Sequence, residues 1–306
     1  MTQNMTAKLI AGTILTIASA IGQPSSFTSI DYPGAKSTNA SSINARGDIV
    51  GSYTDQANVG HGFVLSGGVF ATIDYPGAVA TQARGINSRG DIVGTHFGPN
   101  FAVAGSGGDI HGFLLRAGAS LPDPIDYPGH INTIAQHITA TGEIVGCYHD
   151  HDTMASMHGI TWKDGNFSAL DGSLAGLNVP ASMNNGATPD GGVIAGLYTD
   201  MMGTSRSYIV DVSAGTFTPF DFPGSIATST WDMNPSGEVV GAYRDKALHV
   251  HGFLMTGGEF LSIDYPAGGV RSTQALGINP QGDIVGAYVD SSGVSHAFLL
   301  TGATHR

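Results

Sequence analysis

One unit of about 45 residues recurs six times along the 306-residue chain, and this repetition restricts the possible folds more than any other feature. Its clearest marker is the pentapeptide Ile-Asp-Tyr-Pro-Gly or a variant of it. The aspartates of the six copies are Asp31, Asp74, Asp126, Asp171, Asp221 and Asp264. A repeat of this length is typical of proteins built from successive four-stranded sheets. The 45 glycines suit many short strands joined by tight turns.

Four strand patterns, which we call A to D, follow one another within each copy. In the second copy, strand A begins at Thr81 and ends before the turn at Asn87, and strand B follows at Gly-Asp-Ile-Val-Gly. Strand C begins with His111, and strand D ends at the aspartate marker. The turn between A and B reads Asn-x-x-Gly, which is the residue preference of a type I turn. Each copy is therefore predicted to form four antiparallel strands.

The strands at the two ends of the chain predict how the repeat closes. After the first 20 residues there is a single D strand at 27–32, and the chain finishes with A, B and C of the sixth copy. The N-terminal strand can then complete the last sheet and leave no unpaired edge. We predict one all-β domain over residues 21–306, a six-bladed β-propeller closed by this strand. The competing architecture, a solenoid, would need terminal caps that the sequence does not show.

The first 20 residues have the features of a signal peptide. Lys8 precedes an apolar stretch at 9–17, and Ala18-Ser19-Ala20 matches an A-x-A cleavage pattern. The stretch is too short to span a bilayer. We therefore predict that residues 1–20 are a signal peptide and that the protein is secreted or periplasmic, without a membrane span. A disordered cytosolic tail is the alternative.

The charge of the chain restricts the class of partner. Its formal net charge is −12, and its 12 Lys and Arg residues form no basic run. Nucleic acids and anionic membranes are bound through such positive charge, so neither is expected as a partner. A small molecule such as a carbohydrate, or another protein, fits this charge better. We expect the protein to be a monomer.

The residues that open strand C carry a resemblance to a known family. His-Gly-Phe or His-Ala-Phe follows the Gly-Asp-Ile-Val-Gly motif at His61, His111 and His296, and its variant Gly-Glu-Val-Val-Gly at His251. This signature covers nearly all of the chain after the first 20 residues, and it resembles the HAF-repeat family of extracellular proteins. The resemblance implies export and a β-repeat fold. It implies no activity and no catalytic residues.

Repeated aspartates and histidines are expected to share one rim of the propeller. In an antiparallel meander, the D–A and B–C connections lie at the same edge, and these connections carry the marker aspartates, the strand C histidines and the Tyr-x-Asp aspartates. The last group comprises Asp55, Asp150, Asp200, Asp245 and Asp290. Because these residues recur around the ring, hydrogen bonds between loops explain them better than a catalytic centre does. Ca²⁺ or another divalent metal on this rim is the alternative.

Residues that differ between copies are better candidates for a site, and strand A should place them in the central channel. Counted from Thr81 in the second copy, the fourth position is occupied by Ser41, Arg84, Gln136, Asn185, Trp231 and Leu276. The fifth is occupied by Ser42, Gly85, His137, Gly186, Asp232 and Gly277. Arg84 can pair with a carboxylate and Trp231 can stack on a sugar. We predict Arg84, Gln136, Asn185 and Trp231 as ligand-binding residues, with packing between blades as the alternative.

Three further departures stand outside strand A. His96 replaces the strand B tyrosine in the second copy, ahead of a longer loop, and is a further predicted ligand-binding residue. His149, His151 and Asp152 are additions to the third copy, and alternating His and Asp can present ligands to a divalent metal. A solvated polar loop is the alternative. In the fourth copy, Ser207 is taken to replace the strand C histidine.

Two classes of function remain open. The first is an exported binding or interaction propeller that recognises a carbohydrate or a protein at one rim or at the channel mouth. The second is a lyase or hydrolase on a polar or glycan substrate, in which His137 and Asp232 transfer protons and Arg84 anchors the substrate. The chain contains no Gly-x-Ser-x-Gly, His-Glu-x-x-His, P-loop or EF-hand motif, which favours the first class.

Overall fold

The structure, a computed structural model, describes residues 25–101, 108–130, 132–150, 156–170 and 181–303. Within these ranges the regular secondary structure consists of strands β1 to β24 and no α-helix, so the predicted all-β class is confirmed. In the same ranges, no helix is long and apolar enough to cross a membrane. The predicted signal peptide and the predicted metal ligands His151 and Asp152 lie outside the described residues.

The strands follow the A to D order that the repeat predicts. The A strands are β2 (Ser37–Ile43), β6 (Ala80–Ile86), β10 (Asn132–Ile138), β14 (Ala181–Ala187), β18 (Ala227–Met233) and β22 (Ser272–Ile278). The B strands are β3 (Ile49–Thr54), β7 (Ile92–Phe97), β11 (Ile144–His149), β15 (Val193–Thr199), β19 (Val239–Arg244) and β23 (Ile284–Val289). The C strands are β4 (Gly60–Ser66), β8 (Ile110–Leu115), β12 (Met157–Lys163), β16 (Ser205–Asp211), β20 (Val250–Thr256) and β24 (Ser295–Thr301). The D strands are β5 (Val69–Ile73), β9 (Asp123–Ile125), β13 (Asn166–Ala169), β17 (Thr216–Phe220), β21 (Glu259–Ile263) and β1 (Ser26–Ser29).

Antiparallel pairing joins these strands into four-stranded units. Unit 1 comprises β2 to β5, unit 2 β6 to β9, unit 3 β10 to β13, unit 4 β14 to β17, unit 5 β18 to β21, and unit 6 β22 to β24 with β1. Units 1 and 4 are separate sheets. A single parallel pair, Asn132 with Ile110, joins units 2 and 3, and Val250 with Ser272 joins units 5 and 6.

The two ends of the described chain meet in unit 6. β1 pairs antiparallel with β24, and Phe27 lies opposite Leu300. The Phe27 ring also packs against Phe298 and Tyr265, with ring centroids 5.4 and 5.3 Å away. The predicted pairing of the N-terminal strand with the last strand is confirmed.

The hydrophobic core lies between consecutive units. Val50 of unit 1 packs with Ala83 and Phe113 of unit 2, and all three are fully buried. Unit 6 packs on unit 1 in the same way, because Val285 joins the cluster around Phe63. Apolar strand residues are therefore buried by the neighbouring unit, which explains why one unit cannot form a core alone.

Every strand A carries a β-bulge at the same place. The register shifts around the fourth position, so the residue there has no partner directly opposite in strand B. Strand A of each unit also contacts strand A of the next, and β22 contacts β2. A bulge changes the direction in which a side chain points. The side chains at the fourth position therefore do not follow the regular alternation of the strand.

Glycine alternates with larger residues at the fifth position, next to the bulge. A Cβ at Gly85 would lie 2.9 Å from the Cα of His137 in unit 3. A Cβ at Gly186 would lie 2.7 Å from the Cα of Asp232, and one at Gly277 would lie 2.7 Å from the Cα of Ser42. Glycine is therefore required where the strand A backbones of neighbouring units come into contact.

Candidate functional site

On the edge that carries the D–A and B–C connections, four strand C histidines each lie between two carboxylates, and we call this group a clamp. In unit 1, His61 Nδ1 is 2.9 Å from Asp74 Oδ1 and His61 Nε2 is 3.6 Å from Asp55 Oδ2. Equivalent clamps are His111 with Asp126 and Asp109, His251 with Asp264 and Asp245, and His296 with Asp31 and Asp290. The predicted hydrogen bonds between repeated aspartates and histidines are confirmed.

In the clamp of unit 6, the pKa values of His296 and Asp290 are both shifted. Burial of the His296 ring opposes protonation, but hydrogen bonds and charge from Asp31 and Asp290 outweigh it and raise the pKa of His296. Hydrogen bonds from Ser292 and from the Val294 backbone lower the pKa of Asp290 to about 2. His296 and Asp290 are therefore an ion pair at slightly acidic pH.

An aromatic stack adjoins each clamp, and unit 2 alters it. In unit 1, Tyr53 stacks on Tyr32 at 3.7 Å and on His61 at 5.0 Å. In unit 2, His96 takes the tyrosine position, 3.6 Å from the Tyr75 ring. Burial, and then repulsion by His111, lowers the pKa of His96 to about 4. Its Nδ1 atom is buried and has no hydrogen-bond partner among the described residues. The structure places His96 inside this stack, and its predicted ligand contact stays a prediction.

Unit 4 has a clamp with a different cation, and this corrects the sequence alignment. Tyr198 pairs with Arg206, as Tyr53 pairs with His61 in unit 1. Arg206 contacts Asp200 at 3.1 Å and Asp221 at 3.0 Å. The histidine position is therefore occupied by Arg206, and the assignment to Ser207 was wrong. Alignment by the following apolar residues slipped by one, because Tyr208 replaces the phenylalanine of the other units.

Arg84 lies at the bulge of unit 2 among neutral groups. Its Nε donates to Thr95 Oγ1 at 2.9 Å, Nη1 to Gln136 Oε1 at 2.9 Å and Nη2 to Gln82 Oε1 at 2.7 Å. No carboxylate in the described part of the chain forms a salt bridge with it, and burial lowers the pKa of Arg84. The guanidinium has five N–H groups, so part of its donor capacity remains for a ligand. The structure brings Arg84 and Gln136 together, as a shared site requires.

His137 and Asp232 meet although they belong to units 3 and 5. His137 Nδ1 is 3.2 Å from Asp232 Oδ1, and their side chains are 14% and 4% exposed. Asp232 also accepts hydrogen bonds from the backbone N–H groups of Met233 at 2.8 Å and Ile278 at 3.1 Å. The Asp232 carboxylate is therefore fixed in position beside the imidazole of His137.

Asn185, the bulge residue of unit 4, is held inside the protein. Its side chain is 1% exposed, and its Nδ2 donates to the Thr230 carbonyl at 2.7 Å. Its Oδ1 atom has no hydrogen-bond partner within the described residues. Asn185 therefore links units 4 and 5 and leaves one acceptor for a further donor.

A cavity of about 580 Å³ lies where units 4, 5 and 6 meet. Its wall includes Trp231 at the bulge of unit 5, Ser229, Tyr243, Ser205 of unit 4 and Gln274 of unit 6. The Trp231 Nε1 atom is buried and has no acceptor among the described residues. This volume falls in the range of about 300–1,000 Å³ typical of small-molecule sites. Sequence reasoning identified Trp231 but missed the second-position residues Ser229 and Gln274.

The predicted metal site in the third copy is described only at His149. This residue is 3% exposed, and its Nε2 lies 3.6 Å from the sulfur of Cys147. Burial raises the pKa of Cys147 to about 12, so the thiol stays protonated. Because His151 and Asp152 lie outside the described residues, metal binding there stays a prediction.

Comparison with known proteins identifies the fold. No family model and no curated protein sequence match the chain. TolB from Agrobacterium tumefaciens is 13% identical with a TM-score of 0.56, and the match covers 86% of this chain and 89% of TolB. TolB from Acinetobacter baumannii is 15% identical with a TM-score of 0.52, and the match covers 87% of this chain but only 55% of that longer protein.

A fungal lectin has a similar structure. A mutant Aleuria aurantia lectin in complex with Fucα1-6GlcNAc is 11% identical with a TM-score of 0.51, and the match covers 88% of this chain and 93% of the lectin. That lectin is a six-bladed β-propeller. At these identities the likeness shows a fold of the β-propeller type and no more.

Proposed function

We propose that the protein is an exported six-bladed β-propeller that binds a carbohydrate in the cavity around Trp231. The blade number rests on the six four-stranded units, on the contacts of each strand A with the next, and on β22 contacting β2. β1 completes unit 6 and closes the ring, which covers an edge that would otherwise attract another strand. Export is supported by the features of residues 1–20 and by the HAF-type signature.

The observation that carries the proposed ligand class is Trp231. Its indole lines the cavity, while its N–H group has no protein acceptor in the described part of the chain. Sugars present flat C–H faces, which match an aromatic ring at the wall of a cavity. Hydroxyl and amide groups from Ser205, Ser229 and Gln274 share the wall and can complete the hydrogen bonds.

The site is built from residues that the repeat does not need. Trp231 occupies a position where unit 6 has Leu276 and unit 1 has Ser41, with the same backbone bulge. A residue that the fold required would recur in the other units, as the clamp histidines do. The similar fold of a lectin crystallised with a fucosylated disaccharide adds support for a carbohydrate ligand.

A glycan array followed by titration calorimetry tests this proposal, and Fucα1-6GlcNAc is the first probe. Trp231→Leu installs the residue that unit 6 carries at the same bulge, so the backbone should be unaffected. We expect a defined glycan to bind and this variant to bind it at least about tenfold more weakly, a loss of about 1.4 kcal/mol. The control is Leu276→Ala, which should retain binding. Failure of every glycan to bind, or equal binding by both variants, would overturn the proposal and favour a protein partner.

The buried His137–Asp232 pair supports a second candidate, a lyase or hydrolase acting on a polar glycan. A fixed carboxylate that orients an imidazole is an arrangement used for proton transfer, and Arg84 can anchor an acidic group of the substrate. His137→Gln should then remove turnover of a glycan substrate while binding persists. If His137→Gln turns over that substrate as fast as the wild type, the pair has no catalytic role.

A further inference from the structure

Three metal-ligating side chains converge at the B–C connection of unit 5. Asp245 Oδ2 is 3.6 Å from His249 Nδ1 and 3.5 Å from His251 Nε2. One ligand atom from each residue lies within 4.8 Å of the other two. We propose that these residues bind a divalent transition metal, Zn²⁺ in the first instance. Two imidazoles and a carboxylate are a donor set that suits Zn²⁺ and disfavours Ca²⁺, which prefers oxygen ligands.

The clamp prepares His251 to act as a ligand. Its Nδ1 atom is 2.7 Å from Asp264 Oδ1, and since the carboxylate can only accept, Nδ1 carries the proton in the neutral ring. The Nε2 lone pair then points toward Asp245. A carboxylate that fixes the far nitrogen of a metal-bound histidine is a common outer partner of zinc sites. The Tyr243 ring, stacked at 5.0 Å, restricts the imidazole plane.

The local turn orients Asp245 in the same way. Its Oδ1 atom accepts the backbone N–H groups of Ala247 at 2.8 Å and His249 at 2.9 Å. This leaves Oδ2 facing the two imidazoles. His249 is 67% exposed, so water can reach the metal and fill the remaining coordination positions.

Units 1 and 6 contain the same turn without the second histidine. Asp55 Oδ1 accepts the N–H of Val59 at 2.8 Å, and Asp290 Oδ1 accepts that of Val294 at 2.9 Å. Their clamps have His–Asp distances of 3.6 and 3.5 Å, as in unit 5. His249 is thus the residue that adds a third metal ligand to the clamp of unit 5. The clamps of units 1 and 6, which lack this histidine, serve as controls within the same chain.

The metal would lie at the edge of the cavity and outside it. Val250, between the two histidines, and Tyr243 both line the cavity wall. The proposal does not depend on carbohydrate binding, because the three ligands are held by the turn and the clamp. A bound metal would add a fixed positive charge to a chain whose formal net charge is −12.

Calorimetric titration of chelator-treated protein with Zn²⁺ tests the site. We expect His249→Val to weaken Zn²⁺ binding by more than about tenfold, since loss of an outer partner alone costs about 10- to 100-fold. Valine is the residue of units 1 and 6, so the metal-free melting temperature should be unchanged. Equal Zn²⁺ affinity in wild type and His249→Val would overturn the proposal.

A gain of function gives a second, independent test. Val294→His places a histidine beside Asp290 and His296, and we expect it to add one equivalent of bound Zn²⁺ to the wild-type stoichiometry. Absence of the added equivalent would show that the Asp-His-His arrangement is insufficient. Stabilisation by Ca²⁺ and not by Zn²⁺ would also contradict the assignment, because a site with two imidazole ligands should prefer zinc.

Discussion

The clamps, which we call the rim, and the six bulges of strand A, which we call the channel positions, are built from the same repeat, yet their side chains vary in opposite ways. At the rim, the same histidine and aspartates recur, and each clamp joins connections that lie at one unit's edge. On strand A, the backbone bulge recurs and the side chain on it differs in every unit. Each unit needs its own clamp to hold its loops, whereas a ligand shared by several units needs different groups from each.

The difference teaches where function can be sought in a repeat protein. A repeated side chain with a repeated contact is explained by the fold, however reactive its chemistry. A repeated backbone irregularity that carries varied side chains gives the chain positions that can change without loss of the sheet. Four predictions, ordered by their expected effect on stability, test this separation.

Gly286→Ala should lower the free energy of unfolding most, because Gly286 lies in strand β23, which is close-packed against both neighbouring strands of unit 6. An added Cβ would lie 1.9 Å from the Gln274 carbonyl oxygen and 2.8 Å from the Phe298 ring. We expect a loss of about 3 kcal/mol or more in urea unfolding. Gly268→Ala is the control, because nothing lies within 4 Å of its added Cβ. Equal losses in the two variants would contradict the steric argument.

His96→Tyr restores the stack of the other units and should change the response to acid. The folded-state pKa of His96, about 4, lies below the ordinary value of about 6.5. The neutral ring is therefore compatible with the fold above pH 6.5, and stability is lost as the pH falls from 6.5 toward 4. Since the ring is partly exposed, we expect the variant to be more stable by roughly 2 kcal/mol at pH 4 and by less at pH 8. A pH-independent difference in melting temperature would be the contrary result.

His296→Gln should show the opposite pH dependence. The clamp raises the pKa of His296, so its stabilisation is complete below the unfolded value of about 6.5 and is lost as the pH rises through the folded value. We expect the variant to lose about 1 kcal/mol at pH 5.5 and less at pH 9, with the clamp partly screened by solvent. Glycan binding, measured at pH 5.5, should be unchanged. Loss of glycan binding without loss of stability would place the clamp in the functional site.

Leu276→Ser should have the smallest effect. It gives unit 6 the residue that unit 1 carries at the same bulge, and the side chain is only partly buried. We expect a change below about 1 kcal/mol in urea unfolding and no change in the cooperativity of the transition. A loss as large as that of Gly286→Ala would mean that the bulge residues are part of the core.

Most contacts between the repeated histidines and aspartates could be predicted from the sequence. In an antiparallel sheet, alternate connections lie at the same edge, so the residues of these connections come close together. The pairing of His61 with Asp74 and the place of β1 beside β24 both follow from that order. The correct residue in unit 4 could not be read in this way. The strand C histidine of other units is followed two residues later by phenylalanine, and unit 4 has Tyr208 at that place. The equivalent of the histidine, Arg206, is identified only by its pairing with Tyr198 in strand B.

The strand A bulges and the group of Asp245, His249 and His251 were less predictable from the sequence. The fourth position was identified as variable, but that it is a bulge depends on hydrogen bonding with strand B. The contact of His137 with Asp232 joins units 3 and 5, and no spacing along the chain encodes it. His249 is a single departure in a turn of ordinary sequence, so only its distance to Asp245 and His251 distinguishes it.

The alternation of glycine at the fifth channel position has a consequence for how such a ring can change in size. Around the circle, Gly85, Gly186 and Gly277 alternate with His137, Asp232 and Ser42, so each junction has a glycine on one of its two sides. Strict alternation of this kind is possible only with an even number of members. Loss of a unit with glycine at this position would bring two larger residues together at one junction, where the backbones approach too closely for both, whereas loss of a unit without it would bring two glycines together. A ring of this kind should therefore tolerate loss of the unit that carries His137 better than loss of the unit that carries Gly186.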